Sequence, residues 1–317
     1  MSDLANMVAA SDPSSRGQTP RKLLITGANG QLGNELRRAL STGKAAIGPI
    51  DPTWADTEVV YTDVEELDIT RADDVMDFVR GGSFDAIINC AAATNVDGCE
   101  AKPEFARTLN AEAPANLARA AEAVGAKFVQ VSTDYVLAGT DPAPQTEDAP
   151  CAPNTMYGET KLAGERAALE LCPRTFVVRT AWLYGTKGGN FIRTMARLGR
   201  ERETVSVVCD QHGSPTFAGD LAYEILALLL TEDYGIYHCT NNGDTTWDVF
   251  ARRIMSAIGS SCEVISISTE EYKKMVPTSA PRPLWSILDN KHLRDTIGDS
   301  MRDWDVAFDD FVQHVEL

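Results

Sequence analysis

An alternation of apolar β-type segments with helical segments, from residue 22 to about residue 181, constrains the fold of this chain most strongly. Segments such as KLLIT at 22–26 and FVVRTA at 176–181 are almost continuously hydrophobic, as strands buried on both faces require. Because right-handed crossovers join such elements, the alternation predicts an α/β fold with a Rossmann-type, doubly wound parallel sheet. The predicted strands are Lys22–Thr26, Val59–Thr62, Ala86–Asn89, Lys127–Ser132 and Thr175–Ala181, and the predicted helices are Gln31–Leu40, Arg71–Val79, Pro103–Val124 and Met156–Leu171.

The pattern is less regular after residue 185 and predicts a smaller mixed α/β lobe. We therefore expect a disordered N-terminal arm over 1–21, a dinucleotide-binding Rossmann domain over 22–185 and a C-terminal substrate-binding lobe over 186–317. The boundary is interleaved, so that part of the lobe can return to the Rossmann domain. A ligand cleft is expected between the lobe and the carboxyl edge of the sheet. Further helices are predicted at Asn190–Arg200, Ala218–Leu230 and Thr246–Ile258, and strands at Val205–Cys209, Ile236–Cys239 and Glu263–Ile267.

Charge and cysteine usage exclude several classes of protein. The chain has 29 Lys and Arg against 46 Asp and Glu, a net charge of −17, whereas binding a nucleic-acid backbone needs a basic face. No apolar run approaches the roughly 18–20 residues of a membrane span, so no membrane contact is expected. Seven well-separated cysteines favour free thiols and a cytoplasmic location. The four histidines lack metal-ligand spacing, and no metal site is predicted.

A glycine-rich turn follows the first strand and opens the first helix. Gly27, Gly30 and Gly33 allow a tight turn, close approach of the backbone to a pyrophosphate, and packing of the helix on the strand. An acidic residue should then receive the adenosine ribose. Asp63 is favoured over Asp51, which lies in a Pro-flanked segment that looks like a loop, if residues 43–57 are an insertion.

Coenzyme preference stays open at this point. Arg37 and Arg38 are expected to lie on the solvent-exposed face of the first helix, and no 2′-phosphate pocket is apparent. Either NADPH or NADH is therefore expected.

A tyrosine and a lysine share one face of the helix predicted from Met156, since Tyr157 and Lys161 are four residues apart. A nearby positive charge stabilises a phenolate, so Lys161 is expected to lower the pKa of Tyr157 from about 10 towards neutrality. Ser132 and Thr133 end a strand at the edge where α/β folds bind ligands. A hydroxyl there can hold a substrate carbonyl beside the phenol, which predicts acid–base chemistry.

These parts together resemble the extended short-chain dehydrogenase/reductase superfamily, and further segments resemble its dTDP-4-dehydrorhamnose reductase family from residue 22 to the C-terminal region. The resemblance implies reduction, by NADPH or NADH, of the C4 ketone of dTDP-4-dehydro-β-L-rhamnose. That reaction is the last step of dTDP-L-rhamnose biosynthesis, which serves cell-wall polysaccharide. The segments are NCAAATNVD at 89–97, LNAEAPANLA at 109–118, VSTDYVLAG at 131–139, YGETKLAGE at 157–165, RTAWLYG at 179–185, NFIRTM at 190–195, DQHGSPTFAGDLA at 210–222 and RPLWSILDN at 282–290.

The resemblance also implies residue roles. Tyr157 would donate the proton, Lys161 would bind the nicotinamide ribose and Thr133 would hydrogen-bond the reacting oxygen. For Trp182, a core aromatic is the alternative to a substrate contact. The remaining cofactor positions are Gly27, Asn29, Gly30, Gln31, Leu32, Gly33, Asp63, Asp68, Ile69, Ala91, Ala92 and Ala93, and the substrate positions are Thr94, Thr133, Asp134, Trp182, Asn190 and Arg282, the last as a partner for the diphosphate.

Two alternatives remain. One is a nucleotide-sugar epimerase or dehydratase, although dehydratases of the superfamily carry a glutamate where this chain has Tyr135. The other is a non-catalytic, NADP-binding regulatory subunit of methionine adenosyltransferase. Some relatives form a homodimer bridged by Mg²⁺ through glutamates, but Gly219 stands at the first such position, with Asp220 beside it. A homodimer remains open, and the Mg²⁺ bridge is not predicted.

Overall fold

The computed structural model describes residues 17–317, which contain thirteen strands and twelve α-helices. The strands are β1 (Lys22–Thr26), β2 (Glu58–Thr62), β3 (Ala86–Asn89), β4 (Lys127–Thr133), β5 (Thr175–Thr180), β6 (Leu183–Tyr184), β7 (Thr204–Val208), β8 (His212–Gly213), β9 (Thr216–Phe217), β10 (Gly235–His238), β11 (Thr245–Thr246), β12 (Glu263–Ile267) and β13 (Trp285–Ser286). The helices are α1 (Gln31–Thr42), α2 (Ala72–Gly82), α3 (Val96–Ala101), α4 (Pro103–Arg107), α5 (Ala113–Val124), α6 (Met156–Leu171), α7 (Phe191–Glu201), α8 (Ala218–Leu228), α9 (Trp247–Ala257), α10 (Thr269–Met275), α11 (Lys291–Thr296) and α12 (Trp304–His314).

A six-stranded parallel sheet in the order β10-β5-β4-β3-β1-β2 forms the centre of the molecule. Its strands are apolar along their length because both faces are covered. Helices α1 and α8 pack on one face around Leu36 and Ile225, and α2, α5 and α6 pack on the other around Val79 and Leu117. This arrangement confirms the predicted α/β, doubly wound fold.

The C-terminal part of the chain is divided between two cores. Strand β10 pairs with β5, with His238 opposite Arg179, so this segment belongs to the main sheet. Helices α7, α9 and α12 and the paired strands β7 and β12 instead surround a separate apolar cluster that includes Phe250 and Phe308. The C-terminal part of the chain therefore adds one strand to the main sheet and also forms a second apolar core.

Several elements differ from the sequence prediction. The helix expected over Pro103–Val124 contains a π-helical turn at Thr108–Glu112 between α4 and α5. Helices α3, α10 and α11 were not predicted, because each has at most seven residues and too few turns to show a periodic pattern. The segment expected to be a loop around Asp51 forms a 3₁₀ turn at Pro52–Asp56, and its Trp54 is buried in the core.

Residues 17–21 are held against the domain, contrary to the expected disorder of the arm over 1–21. The Gly17 amide donates to the Leu230 carbonyl at 2.8 Å, and the Arg21 amide donates to Asp85 Oδ2 at 2.9 Å. The first sixteen residues of that arm lie outside the described residues.

The cysteines bear out one further expectation, since all seven are free. Over residues 17–317, no helix combines the length and the apolar character that crossing a membrane requires.

Candidate active site

A buried polar network lies beneath the carboxyl edge of the sheet. Thr26 Oγ1 donates to Asn89 Oδ1 at 2.7 Å, and Asn89 Nδ2 donates to Gln130 Oε1 at 2.8 Å, linking β1, β3 and β4. Asn89 Oδ1 also accepts from the Ala91 amide at 3.1 Å. Because polar groups buried in a sheet must be paired, this network fixes the strand ends and the first turn after β3.

The glycine turn brings two of the predicted cofactor segments together. Gly27 has a φ of +64°, and a Cβ there would lie 2.6 Å from the Ala91 amide nitrogen. A Cβ on Gly33 would lie 2.6 Å from Ala28 Cα, so α1 packs directly on the turn. Gly30 precedes α1, and no side chain caps the first amides of that helix. An uncapped helix start after a glycine turn is suited to a phosphate, which the amides and the helix dipole both attract.

The structure places Asp63, and not Asp51, beside this turn. Asp63 Oδ2 accepts from the Asn29 amide at 3.2 Å. Asp51 caps the 3₁₀ turn through Thr53 instead. Next to Asp63 on β2, the ring of Tyr61 lies 4.4 Å from the guanidinium carbon of Arg37.

Helix α6 approaches the sheet edge closely because two of its residues are glycines. A Cβ on Gly158 would lie 2.2 Å from the Tyr135 carbonyl oxygen, and one on Gly164 would lie 2.1 Å from the Asn110 carbonyl oxygen. Thr155 caps α6 by accepting from the Gly158 amide at 3.0 Å. The first turn of α6, which carries Tyr157, is thereby fixed against the end of β4.

The electrostatics of Tyr157 correct one expectation. Burial raises the pKa of Tyr157 above its ordinary value, a hydrogen bond with Thr133 opposes that shift, and the Asp134 charge adds to it. Lys161 was expected to lower this pKa, but its ammonium donates to the Val131 carbonyl at 2.7 Å and is not among the groups that lower it. The phenol is therefore protonated at neutral pH, which is the form a proton donor needs.

Lys161 is 4% exposed, and burial lowers its pKa to about 8. The Glu165 carboxylate, one turn further along α6, opposes this shift. Glu165 itself binds Arg179 of β5 through two hydrogen bonds of 3.0 and 2.8 Å, and both side chains are 1% exposed. One member of a fully buried ion pair, Glu165, thus also acts on the Lys161 ammonium.

Asp134 lies directly after Thr133 and is buried. Burial raises its pKa to about 6, while hydrogen bonds from Ser286 and Thr133 oppose the shift. The Thr133 hydroxyl donates to Asp134 Oδ1 at 2.9 Å. This pair therefore places a hydroxyl and a carboxyl beside the Tyr157 phenol.

Trp182 has a half-exposed ring and an unusual backbone. Its φ of +48° is rare for a residue with a side chain, and its indole stacks on Trp247 with ring centroids 3.5 Å apart. A Cβ on Gly213 would lie 2.5 Å from the Trp182 ring. Strain of this kind persists where the surroundings fix it, often at ligand sites.

The remaining predicted positions differ in how their side chains are engaged. Asn190 caps α7 through the Arg193 amide and donates to Gln31 Oε1 at 3.0 Å. Asp68 accepts from the Thr70 amide and hydroxyl, which lower the pKa of Asp68. Leu32 and Ile69 are core residues, Ala91, Ala92 and Ala93 line the loop after β3, and Thr94 is exposed in that loop.

The Arg282 guanidinium, which the sequence assigns to the substrate diphosphate, already makes hydrogen bonds within the protein. Its Nη2 donates to Asp97 Oδ2 at 3.0 Å, and its Nη1 donates to the Ala280 carbonyl at 3.0 Å. Burial raises the pKa of Tyr135, and the charge of Arg282 opposes that shift. The Tyr135 ring lies edge-on to that of Tyr157, with ring centroids 5.3 Å apart.

Comparison with known proteins identifies the family. Residues 21–317 match the family described as the RmlD substrate binding domain. The chain belongs to this family.

Individual RmlD relatives cover nearly the whole chain. A Streptomyces griseus protein named dTDP-4-dehydrorhamnose reductase is 40% identical over 290 residues, which cover 90% of each chain. The crystal structure of a Clostridium acetobutylicum dTDP-4-dehydrorhamnose reductase has a TM-score of 0.85 at 41% identity, covering 92% of this chain and 98% of that one. A Bacillus anthracis dTDP-4-dehydrorhamnose reductase in complex with NADP also has a TM-score of 0.85, at 39% identity, covering 93% of this chain and 99% of that one.

The residues of this RmlD-family chain do not fit a bridging magnesium ion at Asp220. Its carboxylate accepts two hydrogen bonds from Arg302, at 2.6 and 3.0 Å, and one from Asn241 at 2.8 Å. Between residues 17 and 317, no cluster of His, Cys, Asp and Glu side chains could hold a metal ion.

Two residues at the site of this RmlD-family member, Trp247 and Asp97, could not be identified from the sequence. Trp247 stacks on Trp182 from 65 positions away, and Asp97 reaches Arg282 from 185 positions away, so no local spacing links them. Asn110 holds the Ala93 loop by a pair of hydrogen bonds of 2.8 and 3.0 Å. Asn110 lies in the π-helical turn at Thr108–Glu112, and such turns are frequent at functional sites.

Proposed function

We propose that the protein is an NAD(P)H-dependent oxidoreductase that reduces the C4 ketone of dTDP-4-dehydro-β-L-rhamnose to dTDP-β-L-rhamnose. The buried set of Tyr157, Lys161 and Thr133 at the carboxyl edge of the sheet carries this proposal. It is supported by a relative of 40% identity that is named for the same reaction.

The coenzyme would be held at the turn of Gly27, Gly30 and Gly33. The uncapped amides at the start of α1 suit its pyrophosphate, and Asp63, bonded to the Asn29 amide, suits the adenosine ribose. The remaining cofactor contacts are assigned to Gln31, Leu32, Asp68, Ile69, Ala91, Ala92 and Ala93. When bound, the reduced nicotinamide supplies the hydride.

Tyr157 would donate its proton to the C4 oxygen of the sugar as the carbonyl is reduced. Its raised pKa keeps the phenol protonated until the oxygen becomes basic enough to take the proton. The Lys161 ammonium would bind the nicotinamide ribose, and Thr133 would donate a hydrogen bond to the C4 oxygen. The negative charge formed at C4–O is thus met by two hydroxyl donors in a site shielded from water.

The substrate would lie between the sheet edge and the C-terminal body. The stacked pair Trp182 and Trp247 offers a flat apolar surface to the deoxysugar nucleotide, and Asp134 offers a carboxyl to a sugar hydroxyl. Arg282 would contact the diphosphate. Thr94 and Asn190 complete the assigned substrate positions, with Asn190 acting from its fixed place at the start of α7.

The alternatives are less well supported. A dehydratase needs a second carboxyl where this chain has Tyr135, whose ring instead packs edge-on against Tyr157. A purely regulatory role would need neither the buried lysine nor the hydroxyl beside the phenol. The names of the relatives also favour reduction.

Coenzyme preference and location complete the proposal. Arg37 places a cation and Asp63 places an anion at the end of β2, so both NADPH and NADH are proposed as reductants. The NADP complex of the Bacillus anthracis relative supports the phosphorylated form. Seven free thiols and a nucleotide substrate fit a cytoplasmic enzyme.

Steady-state oxidation of NADPH and NADH with dTDP-4-dehydrorhamnose tests the proposal. The wild type should oxidise at least one coenzyme, and Tyr157→Phe should lose about 10²- to 10⁴-fold in kcat, the usual contribution of a general acid. Tyr234→Phe is the matched control, because its ring packs on Phe176 in the core. No oxidation by the wild type would refute the reaction, and an undiminished rate in Tyr157→Phe would refute the proton donor.

A further inference from the structure

The segment from Ser279 to Trp285 is held at both ends by hydrogen bonds. At one end, the amides of Leu284 and Trp285 both donate to the Gly139 carbonyl at 3.1 Å. At the other end, the Ala280 amide donates to Asp97 Oδ1 at 2.7 Å. The segment thus joins the C-terminal part of the chain to α3, which follows β3 in the Rossmann part.

Asp97 makes the contacts that fix this end. One carboxylate oxygen accepts a hydrogen bond from the Ala280 amide, and the other accepts one from the Arg282 guanidinium at 3.0 Å. Arg282 in turn donates from Nη1 to the Ala280 carbonyl, closing a ring of three residues. Both oxygens of a half-exposed carboxylate are therefore committed to one short stretch of backbone and one guanidinium.

Arg282 retains donors after these contacts. A guanidinium carries five N–H groups, and its contacts within residues 17–317 use Nη1, towards two carbonyls, and Nη2, towards Asp97. The Nε–H makes no hydrogen bond in that part of the chain. The charge of Arg282 acts on Tyr135, whose ring packs edge-on against that of Tyr157.

Two basic side chains lie close to Asp97 although the chain as a whole is acidic. Lys273 is close enough to Asp97 to lower its pKa, and its ammonium donates to the Ser279 carbonyl. Two cations, Lys273 and Arg282, thus lie close to Asp97 in a chain whose net charge is −17. An anionic ligand is attracted to such a point even when the outer surface repels it.

We propose that Asp97 is a positioning residue that fixes the Arg282 guanidinium, which binds the diphosphate of the nucleotide sugar. The inference rests on the proposed function, since the diphosphate belongs to the proposed substrate. Asp97 acts only through Arg282 and touches neither the sugar nor the coenzyme. It therefore governs substrate affinity and leaves the chemical step unchanged.

The test compares Asp97→Ala, Arg282→Ala and the double variant. Arg282→Ala should raise KM for the nucleotide sugar about 10- to 100-fold, the worth of a charge-assisted hydrogen bond, with kcat and the coenzyme KM little changed. Asp97→Ala should raise KM about 3- to 10-fold, because the guanidinium is kept but no longer held. The double variant should match Arg282→Ala, because Asp97 has nothing left to position.

Binding of dTDP and thymidine, measured by calorimetry, separates positioning from a general loss of structure. Arg282→Ala and Asp97→Ala should weaken the binding of dTDP and leave the binding of thymidine unchanged, since thymidine has no diphosphate. Glu104→Ala is the charge-matched control, an exposed acid on α4 that should change neither constant. Equal losses for thymidine and dTDP, or single effects that simply add in the double variant, would overturn the inference.

Failure of the proposed function gives a different result. If the wild type binds dTDP but oxidises no coenzyme with the sugar, the reaction is wrong and the role of Asp97 is still decided by the two binding constants. If the wild type reduces the sugar and the three variants keep its KM, the reaction stands and the role of Asp97 is wrong.

Discussion

The buried ion pair between Glu165 and Arg179 makes the sharpest stability prediction. The pair joins α6, which carries Tyr157 and Lys161, to β5 of the central sheet. Both side chains are 1% exposed, and the two hydrogen bonds are 3.0 and 2.8 Å long. Around them, Arg179 also contacts Cys151 Sγ at 3.2 Å, and His238 is held neutral by burial, which lowers its pKa to about 3. Within residues 17–317, Glu165 is thus the anion that balances the buried guanidinium.

Removing one partner should cost much more than removing both. Arg179→Met leaves the Glu165 carboxylate buried without its cation, and the free energy of unfolding should fall by about 3–5 kcal/mol. The double variant Glu165→Gln/Arg179→Met removes both members of the ion pair and fills a similar volume. It should therefore recover most of that loss and lie within about 1–2 kcal/mol of the wild type.

Urea unfolding, followed by circular dichroism, measures these differences. Arg197→Met is the control, because Arg197 pairs with Glu201 on the exposed face of α7, and it should cost about 0.3–0.5 kcal/mol. An Arg179→Met variant as stable as Arg197→Met would refute the argument that the pair is desolvated. A double variant less stable than Arg179→Met would refute the argument that charge, and not packing, sets the cost.

Three further predictions concern the site. Gly164→Ala should destabilise the protein by about 1–3 kcal/mol in thermal unfolding, because its Cβ would lie 2.1 Å from the Asn110 carbonyl oxygen. Gly81→Ala is the control and should not destabilise the protein, because a Cβ there meets no atom within 4 Å. Equal stabilities of the two variants would contradict this prediction. Thr133→Val should lower kcat/KM in coenzyme oxidation about 10- to 100-fold by removing one donor to the C4 oxygen, and an unchanged value would exclude that role. Since burial lowers the pKa of Lys161 to about 8, its charged form is lost as pH rises through that value, so kcat/KM should fall above pH 8; a profile flat to pH 10.5 would contradict it.

The Rossmann part was predictable because each of its elements carries a local signal. The strand predicted at Ala86–Asn89 is found at those residues, and Met156–Leu171 is found as α6. In both cases apolar periodicity and the flanking residues agree with the tertiary environment. The C-terminal part was harder, because strands such as β8 and β13 have two residues each and exist only through their pairing.

The candidate site also contains some features that short sequence spacings predict and others that depend on the whole fold. The turn from Gly27 to Gly33 and the pair of Tyr157 and Lys161 are defined by short spacings, so their placement could be predicted. The partner of Arg282 could not, because Asp97 is 185 positions away and half-exposed carboxylates have no sequence signature. Nor could the pKa of Tyr157, because burial, which depends on the whole fold, is the largest cause of its rise.

Isotope transfer tests the central claim most directly. The reaction would be run with NADPH carrying deuterium at the transferable position of the nicotinamide, and the sugar product would be analysed by NMR. The account predicts one deuterium at C4 of the dTDP-sugar, one oxidised coenzyme per product, and loss of both in Tyr157→Phe. A changed sugar without deuterium at C4 and with no net oxidation of coenzyme would contradict it, since that is the outcome of an epimerase or a dehydratase.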